Sequence, residues 1–314
     1  MPTQTETEVP SMTQAESAQA QISHHAPRTL AASVPRARRR ARFASSERRS
    51  TIIRAVIAWI LALITMFPII WLIIGALRPA DQTFSPGLSS SFTFDNLSQV
   101  LTQVPFPLYL MNSAIVSIAV TLAALLFHSM AAYALARLRF TGRGTVFLLM
   151  ISTMLVSLPV ILVPLFMIVK QLGLVDTYAG LIVPVIFNAF GIFLLRQYYL
   201  NIPKELEEAA ELDGCGYGGI YLHVILPLSK PILASLAVLF FLANWNSFLW
   251  PLTITQSPNL DVIQLGISTL QGQYSSAWGL IMAGSLVAAV PTIIVFLLGQ
   301  RWLVDSLKTT GSKG

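Results

Sequence analysis

The chain has 314 residues, of which 54% are hydrophobic and only 11% are charged, with a net charge of +6. Soluble domains carry about 25% charged residues, so a soluble fold of this length could not cover its surface with so little charge. The composition therefore excludes an ordinary soluble protein and makes lipid part of the solvent. The single cysteine, Cys215, excludes an intrachain disulfide framework and a cysteine-based metal site.

Residues 1–50 differ from the rest because they contain no apolar stretch able to form a core. They are rich in Ser, Thr, Gln, Ala and Pro and include an arginine-rich run at 36–42. We expect a disordered cytoplasmic tail whose arginines help to fix the membrane orientation. A twin-arginine export signal is disfavoured by the polar residues after the run, and binding to anionic lipid or nucleic acid is the other alternative.

Six apolar segments follow, each near the roughly 20 residues that a helix needs to cross the hydrocarbon core. They are Ala55–Leu77, Leu108–Ala136, Thr145–Val169, Tyr178–Leu195, Pro231–Ile254 and Trp278–Gly299. Prolines inside several of them are tolerated in membrane helices when neighbours satisfy the freed backbone groups. The sequence predicts an all-α, polytopic membrane protein with six transmembrane helices over residues 51–314.

Positive charge is distributed unequally over the connections between these segments. Thirteen Lys and Arg residues lie near the membrane on the side of the termini, and two, Arg78 and Lys170, lie on the other side. Cytoplasmic loops carry the excess of such residues, so both termini are predicted to be cytoplasmic. The connections on the outer side are too short to form a domain, so any capture of a solute outside requires another chain.

A short helix is predicted within the longest cytoplasmic connection, at about 196–230. Pro203 suits the first turn of a helix, and Gly214 suits the position just past its end. Three acidic residues lie near the N-terminus, where negative charge is favourable: Glu205, Glu207 and Glu208. Helical spacing predicts one narrow face of small and apolar groups, formed by Leu206, Ala209, Ala210 and Asp213. Such a face can enter a shallow groove on a partner.

The glycines at 214–219 satisfy the pattern GxGxxG, which in other proteins binds dinucleotides. That fingerprint needs a preceding strand and an acidic residue about 20 positions later. Here a helix precedes the glycines and the next acidic residue is Asp261. We therefore interpret them as a turn. A phosphate-binding GxxxxGK[ST] loop is also absent from the sequence, so ATP hydrolysis would have to come from a partner.

The same loop contains a longer motif. Glu208-Ala209-Ala210 is followed after three residues by Gly214 and after nine more by Val224-Ile225-Leu226-Pro227. This spacing resembles the EAA motif of ABC importer permeases, with Val224 in place of the usual Ile. Asp213, the segment 245–252 and the C-terminal segments 300–304 and 311–314 are similar to the carbohydrate branch of that family, especially the G-type subunit of maltose importers.

The resemblance covers residues 55–314 and implies a type I ABC importer permease fold for a sugar, with a disaccharide or oligosaccharide as the expected solute. It implies that the EAA loop couples the permease to a separate, dimeric cytoplasmic ATPase, which would hold ATP and Mg, so this chain needs no cofactor. A second, F-type permease and an extracytoplasmic solute-binding protein are the other implied partners. The coupling residues would be Glu208, Ala209, Ala210, Asp213, Gly214, Leu226 and Pro227.

Polar residues inside the apolar segments are candidates for a solute pathway. Amides of Asn188, Asn244 and Asn246 can bond sugar hydroxyls, and Trp245 offers an apolar face to a sugar ring. Asparagines in membrane helices also bond neighbouring helices, so packing is the alternative for each. His128 is a single ionisable residue in the second segment. A proton pathway usually contains several such residues, so a role in helix packing is favoured.

Three classes of function were compared. A secondary transporter is disfavoured because its pathway usually contains intramembrane charge. A membrane-embedded enzyme needs clustered carboxylates or a metal site, and here the acidic cluster lies on one short helix without histidines. We therefore expect a non-enzymatic permease subunit in the cell membrane.

Overall fold

A computed structural model describes the backbone of residues 36–79, 82–83, 91–274 and 277–311, with side chains between 51 and 303. Within these residues the regular structure is helical and contains no strand, which agrees with the predicted all-α class. The helices are α1 (Arg36–Ala76), α2 (Asp95–Thr102), α3 (Phe106–Arg137), α4 (Arg143–Thr153), α5 (Leu158–Gln171), α6 (Tyr178–Ile186), α7 (Ala189–Leu200), α8 (Glu205–Leu212), α9 (Tyr217–Ile220), α10 (Leu226–Leu228), α11 (Lys230–Trp245), α12 (Leu249–Ile254), α13 (Ile263–Gln273) and α14 (Trp278–Gly311). The chain divides into two units, residues 1–64 and 65–314.

Three described helices contain single segments long and apolar enough to cross a membrane: Thr51–Ala76, Phe106–Arg137 and Trp278–Leu303. Three further pairs of helices pass the same test together but are bent at a short break. Counting each bent pair as one span gives up to six crossings, in agreement with the predicted number.

The breaks within the bent pairs of helices were not predicted from the apolar segments of the sequence. α4 and α5 are bent by 104°, and α6 and α7 by 43°. The segment Tyr217–Leu228 meets α11 at 74°, and α11 itself ends at Trp245, so the predicted fifth span is divided between α11 and α12. Pro159 favours the break between α4 and α5. It occupies the first turn of α5, and it cannot donate the backbone hydrogen bond that would continue α4 into α5.

Part of the tail that was predicted to be disordered, residues 1–50, is helical in the structure. α1 begins at Arg36, so residues 36–50 are helical, whereas residues 1–35 lie outside the described part of the chain. Arginine and alanine dominate the start of this helix, and both have high helix propensity, which outweighs the lack of an apolar face. From Ile52 to Ile70 the large apolar side chains of α1 are exposed, as expected for a surface that faces lipid.

The core of the unit 65–314 forms around α3, a helix of 32 residues. α3 packs against α6, α7, α11 and α13. Small residues allow close approach: a Cβ added at Gly191 of α7 would lie 2.4 Å from His128 Nδ1 on α3 and 2.6 Å from Phe240 on α11. This is the usual way in which membrane helices pack, since lipid provides no hydrophobic driving force between them.

Asn112, near the start of α3, fixes the connection that follows α12. Its amide is fully buried and donates to the carbonyls of Asn259 and Asp261 at 2.8 and 2.9 Å. Its carbonyl oxygen accepts from the Tyr178 hydroxyl at 2.6 Å. The carboxylate of Asp176 holds the same connection by accepting from the backbone N–H of Gln256 and of Ser257. Those two backbone bonds lower the pKa of Asp176.

We expect Asn112→Leu to release this connection, because three polar groups would lose their partner at once. Each buried group left unsatisfied costs about 1–3 kcal/mol. Limited proteolysis should cut residues 255–262 faster, and the purified protein should melt at a lower temperature. Asn201→Leu is the control, since Asn201 is exposed and its amide bonds only its own helix, at Gln197. Equal protease sensitivity in the two variants would contradict this role of Asn112.

Candidate functional site

The predicted helix of the cytoplasmic connection is present as α8, Glu205–Leu212, and the structure confirms its bounds closely. Pro203, which was predicted in the first turn, lies outside the helix, and Lys204 is the residue that precedes the first turn. Three acidic residues occupy that turn, where they oppose the positive end of the helix dipole. Gly214 ends the helix with φ +85°, a left-handed conformation that favours glycine over any residue with a Cβ.

The small and apolar residues of α8 do not share one face, contrary to the prediction. Ala210 is buried against the protein itself, whereas Leu206, Ala209 and Asp213 are exposed. Consecutive residues of a helix are turned by about 100°, so Ala209 and Ala210 point in different directions. Ala210 therefore seats α8 on its own chain, and Ala209 remains available to a partner.

The exposed side of α8 combines apolar and acidic groups; we call it the docking surface. Its residues are Glu205, Leu206, Glu208, Ala209, Leu212 and Asp213. Leu212 is 90% exposed and Leu206 is 44% exposed, so both large apolar side chains of this short helix face outward. Among the predicted coupling residues, Glu208, Ala209 and Asp213 lie here, and the sequence pattern gave no reason to select Leu212.

Leu226 and Pro227 lie at the other end of the motif, in the turn that leads into the membrane. Residues 221–225 form a π-helical turn, and the short helix α10 with Pro227 in its first turn follows. Leu226 is half-buried, Pro227 is exposed, and Ile225 between them and α8 is fully buried. π-turns inside helices are rare and occur frequently at functional sites. Leu226 and Pro227 thus shape the entry into α11 and do not belong to the docking surface.

Glu207 is the acidic residue of α8 that faces inward. Its carboxylate oxygen Oε1 lies 2.7 Å from Nε of Arg137, the last residue of α3. Burial raises the pKa of Glu207, and the nearby Arg137 guanidinium opposes that rise. The pair joins two positions 70 residues apart in sequence, so no local pattern could have predicted it.

Trp245 does not lie where a solute could stack on it. It is 2% exposed, its indole N–H donates to the Ala288 carbonyl at 3.1 Å, and its ring stacks on Phe241. Both the faces and the polar edge of the ring are thus engaged by the protein. The structure favours a packing role for Trp245 over the predicted contact with a sugar ring.

The three predicted pathway asparagines have different surroundings. Asn246 is exposed at the end of α11 and accepts from the Gln264 amide at 3.2 Å. Asn244 is half-buried and lines a small cavity with Ser113 and Ser247, two hydroxyls that the sequence analysis did not select. Asn244 and Asn246 thus have different surroundings, and neutral polar groups line this cavity.

Asn188 lies at the break between α6 and α7. Its side chain accepts from the Phe190 N–H at 2.8 Å, and its own N–H donates to Nε2 of His128 at 3.1 Å. An Nε2 that accepts a hydrogen bond belongs to a neutral imidazole. His128 therefore satisfies a backbone group that the break has freed, which supports the packing role predicted for it.

Comparisons with known proteins agree with this geometry. The family model described as binding-protein-dependent transport system inner membrane component matches residues 128–308, more than half of the chain. The chain belongs to this family. The permease is 35% identical over 272 residues to the arabinooligosaccharides transport system permease protein AraQ of Halalkalibacterium halodurans, covering 82% of this chain and 98% of that protein.

Two further similarities concern other solutes. The permease is 34% identical to the sn-glycerol-3-phosphate transport system permease protein UgpE of Pectobacterium atrosepticum, covering 73% of this chain and 83% of that protein. Its structure matches a bacterial ABC transporter involved in the import of the acidic polysaccharide alginate, with a TM-score of 0.72, 25% identity, and coverage of 82% of this chain and 97% of the other. The type I ABC importer permease fold, the multi-pass membrane location and the non-enzymatic role are thereby confirmed.

Proposed function

We propose that the permease forms one half of the pathway of an ATP-driven importer for a neutral disaccharide or oligosaccharide. A second, F-type permease would form the other half, and an extracytoplasmic binding protein would deliver the solute. Both termini lie in the cytoplasm in this proposal, as the thirteen-to-two distribution of Lys and Arg favours.

The docking surface of α8 carries the proposal of ATPase coupling. It is exposed and acidic, and it includes Leu212, a large apolar side chain at the C-terminal end of α8 that is 90% exposed. A partner groove with an apolar floor and basic rim would be complementary in shape and charge. A dimeric cytoplasmic ATPase is the partner that an ATP-driven importer requires, and it would bind the ATP and Mg.

The relatives leave the chemistry of the solute open, since one carries neutral oligosaccharides, one a phosphate ester, and the structural neighbour an acidic polysaccharide. The cavity beside Asn244 has room for about one water molecule, so it does not hold a sugar in this conformation. We infer the neutral class from the kind of polar groups that line it. Its polar lining consists of the Asn244 amide and the hydroxyls of Ser113 and Ser247, and it includes no cationic side chain. Amides and hydroxyls pair well with sugar hydroxyls, whereas phosphate and carboxylate are usually bound by Arg or Lys.

Uptake by proteoliposomes that contain the complete transporter, its binding protein and internal ATP tests this proposal. We expect a labelled neutral pentose or hexose oligosaccharide to accumulate, and an excess of sn-glycerol-3-phosphate or of an alginate oligomer to leave this uptake unchanged. Omitting ATP should abolish accumulation. Uptake driven only by a proton gradient would contradict an ATP-driven importer, and accumulation of the anionic solutes alone would contradict the solute class.

A separate expectation is that this chain by itself neither binds nor hydrolyses ATP. The sequence contains no phosphate-binding loop, and the glycines 214–219 lie in the turn after α8 and in α9, with a helix rather than a strand before them. Photolabelling with an azido-ATP analogue should label the ATPase in the assembled transporter and leave the permease unlabelled. Specific labelling of the purified permease, competed by ATP, would contradict this.

A further inference from the structure

Three polar residues spaced four apart project from the cytoplasmic half of α3: Ser129, Tyr133 and Arg137. This spacing places them on one side of the helix, one turn above another. Each of them contacts the segment 199–221, which contains α8 and the turns around it. We call these three residues the α3 ladder.

Arg137 makes the largest number of these contacts. Its Nη2 donates to the carbonyls of Tyr199 and Ile202, at 2.6 and 2.5 Å, and its Nε lies 2.7 Å from Glu207 Oε1. Tyr199 lies in the last turn of α7 and Ile202 just beyond it, where the C-terminal end of a helix favours a cation. The side chains of Arg137 and Glu207 are only 6% and 14% exposed. One buried guanidinium therefore joins α3, the end of α7 and the first turn of α8.

The other two residues of the α3 ladder, Ser129 and Tyr133, form hydrogen bonds with the segment that follows α8. The Tyr133 hydroxyl donates to the Tyr217 carbonyl at 3.1 Å. Ser129 Oγ and the Tyr221 hydroxyl lie 2.6 Å apart, and the rings of Tyr133 and Tyr221 are in contact. The first turn of α8 and the segment that follows α8 are thus bonded to the same side of α3.

We infer that Arg137 is a positioning residue that makes α8 and the cytoplasmic half of α3 move as one body, so that a displacement of the docking surface is delivered first to α3. This inference rests on the proposed docking of α8 on an ATPase. Separating Arg137 from Glu207 would leave a buried charge without a partner, which proteins avoid strongly. The sequence connection from α8 to α11, by contrast, passes through Gly214 and a π-helical turn, where the helical hydrogen bonds are interrupted.

α3 is suited to carry such a displacement across the membrane. It is one helix of 32 residues with its proline confined to the first turn, whereas the neighbouring spans made of α4–α5 and α6–α7 are bent. The 25 residues from Arg137 to Asn112 correspond to about 37 Å of uninterrupted helix. At that distant end, Ser113 lines the cavity beside Asn244 and Asn112 holds the connection after α12. Movement of α8 would therefore reach the outer half of the pathway through α3.

The first test uses the assembled transporter in nanodiscs, compared at equal amounts of bound ATPase. The readout is the ratio of ATPase activity with and without solute-loaded binding protein. We expect Arg137→Gln to lower this ratio by about tenfold or more, a size typical of coupling between sites. Arg137→Lys, which keeps the charge but loses the fork of donors, should restore part of it. Tyr133→Phe removes one hydroxyl without altering charge and should cause a smaller decrease.

The second test asks whether the cytoplasmic half of α3 moves together with the segment that contains α8. Ser129→Cys and Tyr221→Cys are introduced into a Cys215→Ser background and joined by a short bifunctional thiol reagent, which replaces the removed phenol ring. We expect the cross-linked transporter to keep its solute uptake, because the reagent joins parts that do not separate. The same protein treated with a monofunctional reagent of similar size is the control. Loss of uptake only after cross-linking would overturn the inference.

The outcomes separate this inference from the proposed docking. If α8 does not bind the ATPase, Glu208→Lys will leave the ATPase bound to the permease, whatever happens at Arg137. If docking is correct but the positioning role is wrong, Arg137→Gln complexes will contain less ATPase or less permease, yet the stimulation ratio per complex will equal that of the wild type. A normal ratio in Arg137→Gln overturns the inference, whatever the Tyr133→Phe variant shows.

Discussion

Glu208→Lys is expected to abolish solute uptake while the permease remains inserted in the membrane at normal levels. Glu208 is exposed on the docking surface of α8, so folding should tolerate the change. Against a basic rim on the ATPase, reversal of this charge converts attraction into repulsion, which costs several kcal/mol when like charges meet in an interface. Uptake in cells and co-purification of the ATPase with the permease are the measurements.

Asp95→Lys provides a matched control for this experiment. Asp95 is also an exposed acidic residue in the first turn of a helix, α2, so its reversal has the same cost of about 0.3–1 kcal/mol against the helix dipole. It lies in the connection between α1 and α3, on the side that we expect to face away from the cytoplasm. Near-normal uptake in the Glu208 variant, or equal loss in both variants, would show that α8 is not the coupling element.

Trp245→Ala is expected to lower the stability of the permease rather than to alter its selectivity. The buried indole stacks on Phe241 and donates to the Ala288 carbonyl of α14, so truncation leaves a cavity between α11 and α14 and removes that hydrogen bond. Such a change of a buried Trp costs about 3–5 kcal/mol. Thermal unfolding in detergent should show a large fall in the melting temperature, together with reduced amounts in the membrane.

Trp245→Phe separates packing from solute contact. It keeps an aromatic ring against Phe241 and loses only the N–H donor and part of the volume, so its melting temperature should fall much less. If Trp245 instead bound the solute, both variants would raise the KM for uptake while the melting temperature stayed near that of the wild type. That result would contradict the packing role.

Much of the fold can be predicted from patterns of residues that are neighbours in sequence. Apolar segments near 20 residues identify spans wherever the helix is continuous, and the predicted second and sixth segments lie within α3 and α14. α8 was predicted because its start and end are encoded locally, by acidic residues in the first turn and by Gly214 at the end. Capping chemistry of this type depends on neighbours in sequence and so is visible without tertiary contacts.

Other features depend on contacts between distant residues. The bend of 104° between α4 and α5 is set by packing as well as by Pro159, and hydropathy does not encode an angle. Trp245 lies beside two asparagines in sequence, which suggested a solute site, yet its environment is determined by Phe241 and Ala288. Arg137 contributed only a positive charge to the orientation count, because its pairing with Glu207 requires α3 and α8 to be folded together.

Site-specific photocross-linking from position 212 tests the central claim most directly. A photoreactive amino acid replaces Leu212, the most exposed large apolar residue of the docking surface, and another replaces Thr141, an exposed control in the connection between α3 and α4. We expect irradiation of intact cells to join the permease to the ATPase from position 212 and not from position 141. Labelling of the ATPase from neither position, or equally from both, would contradict docking through α8.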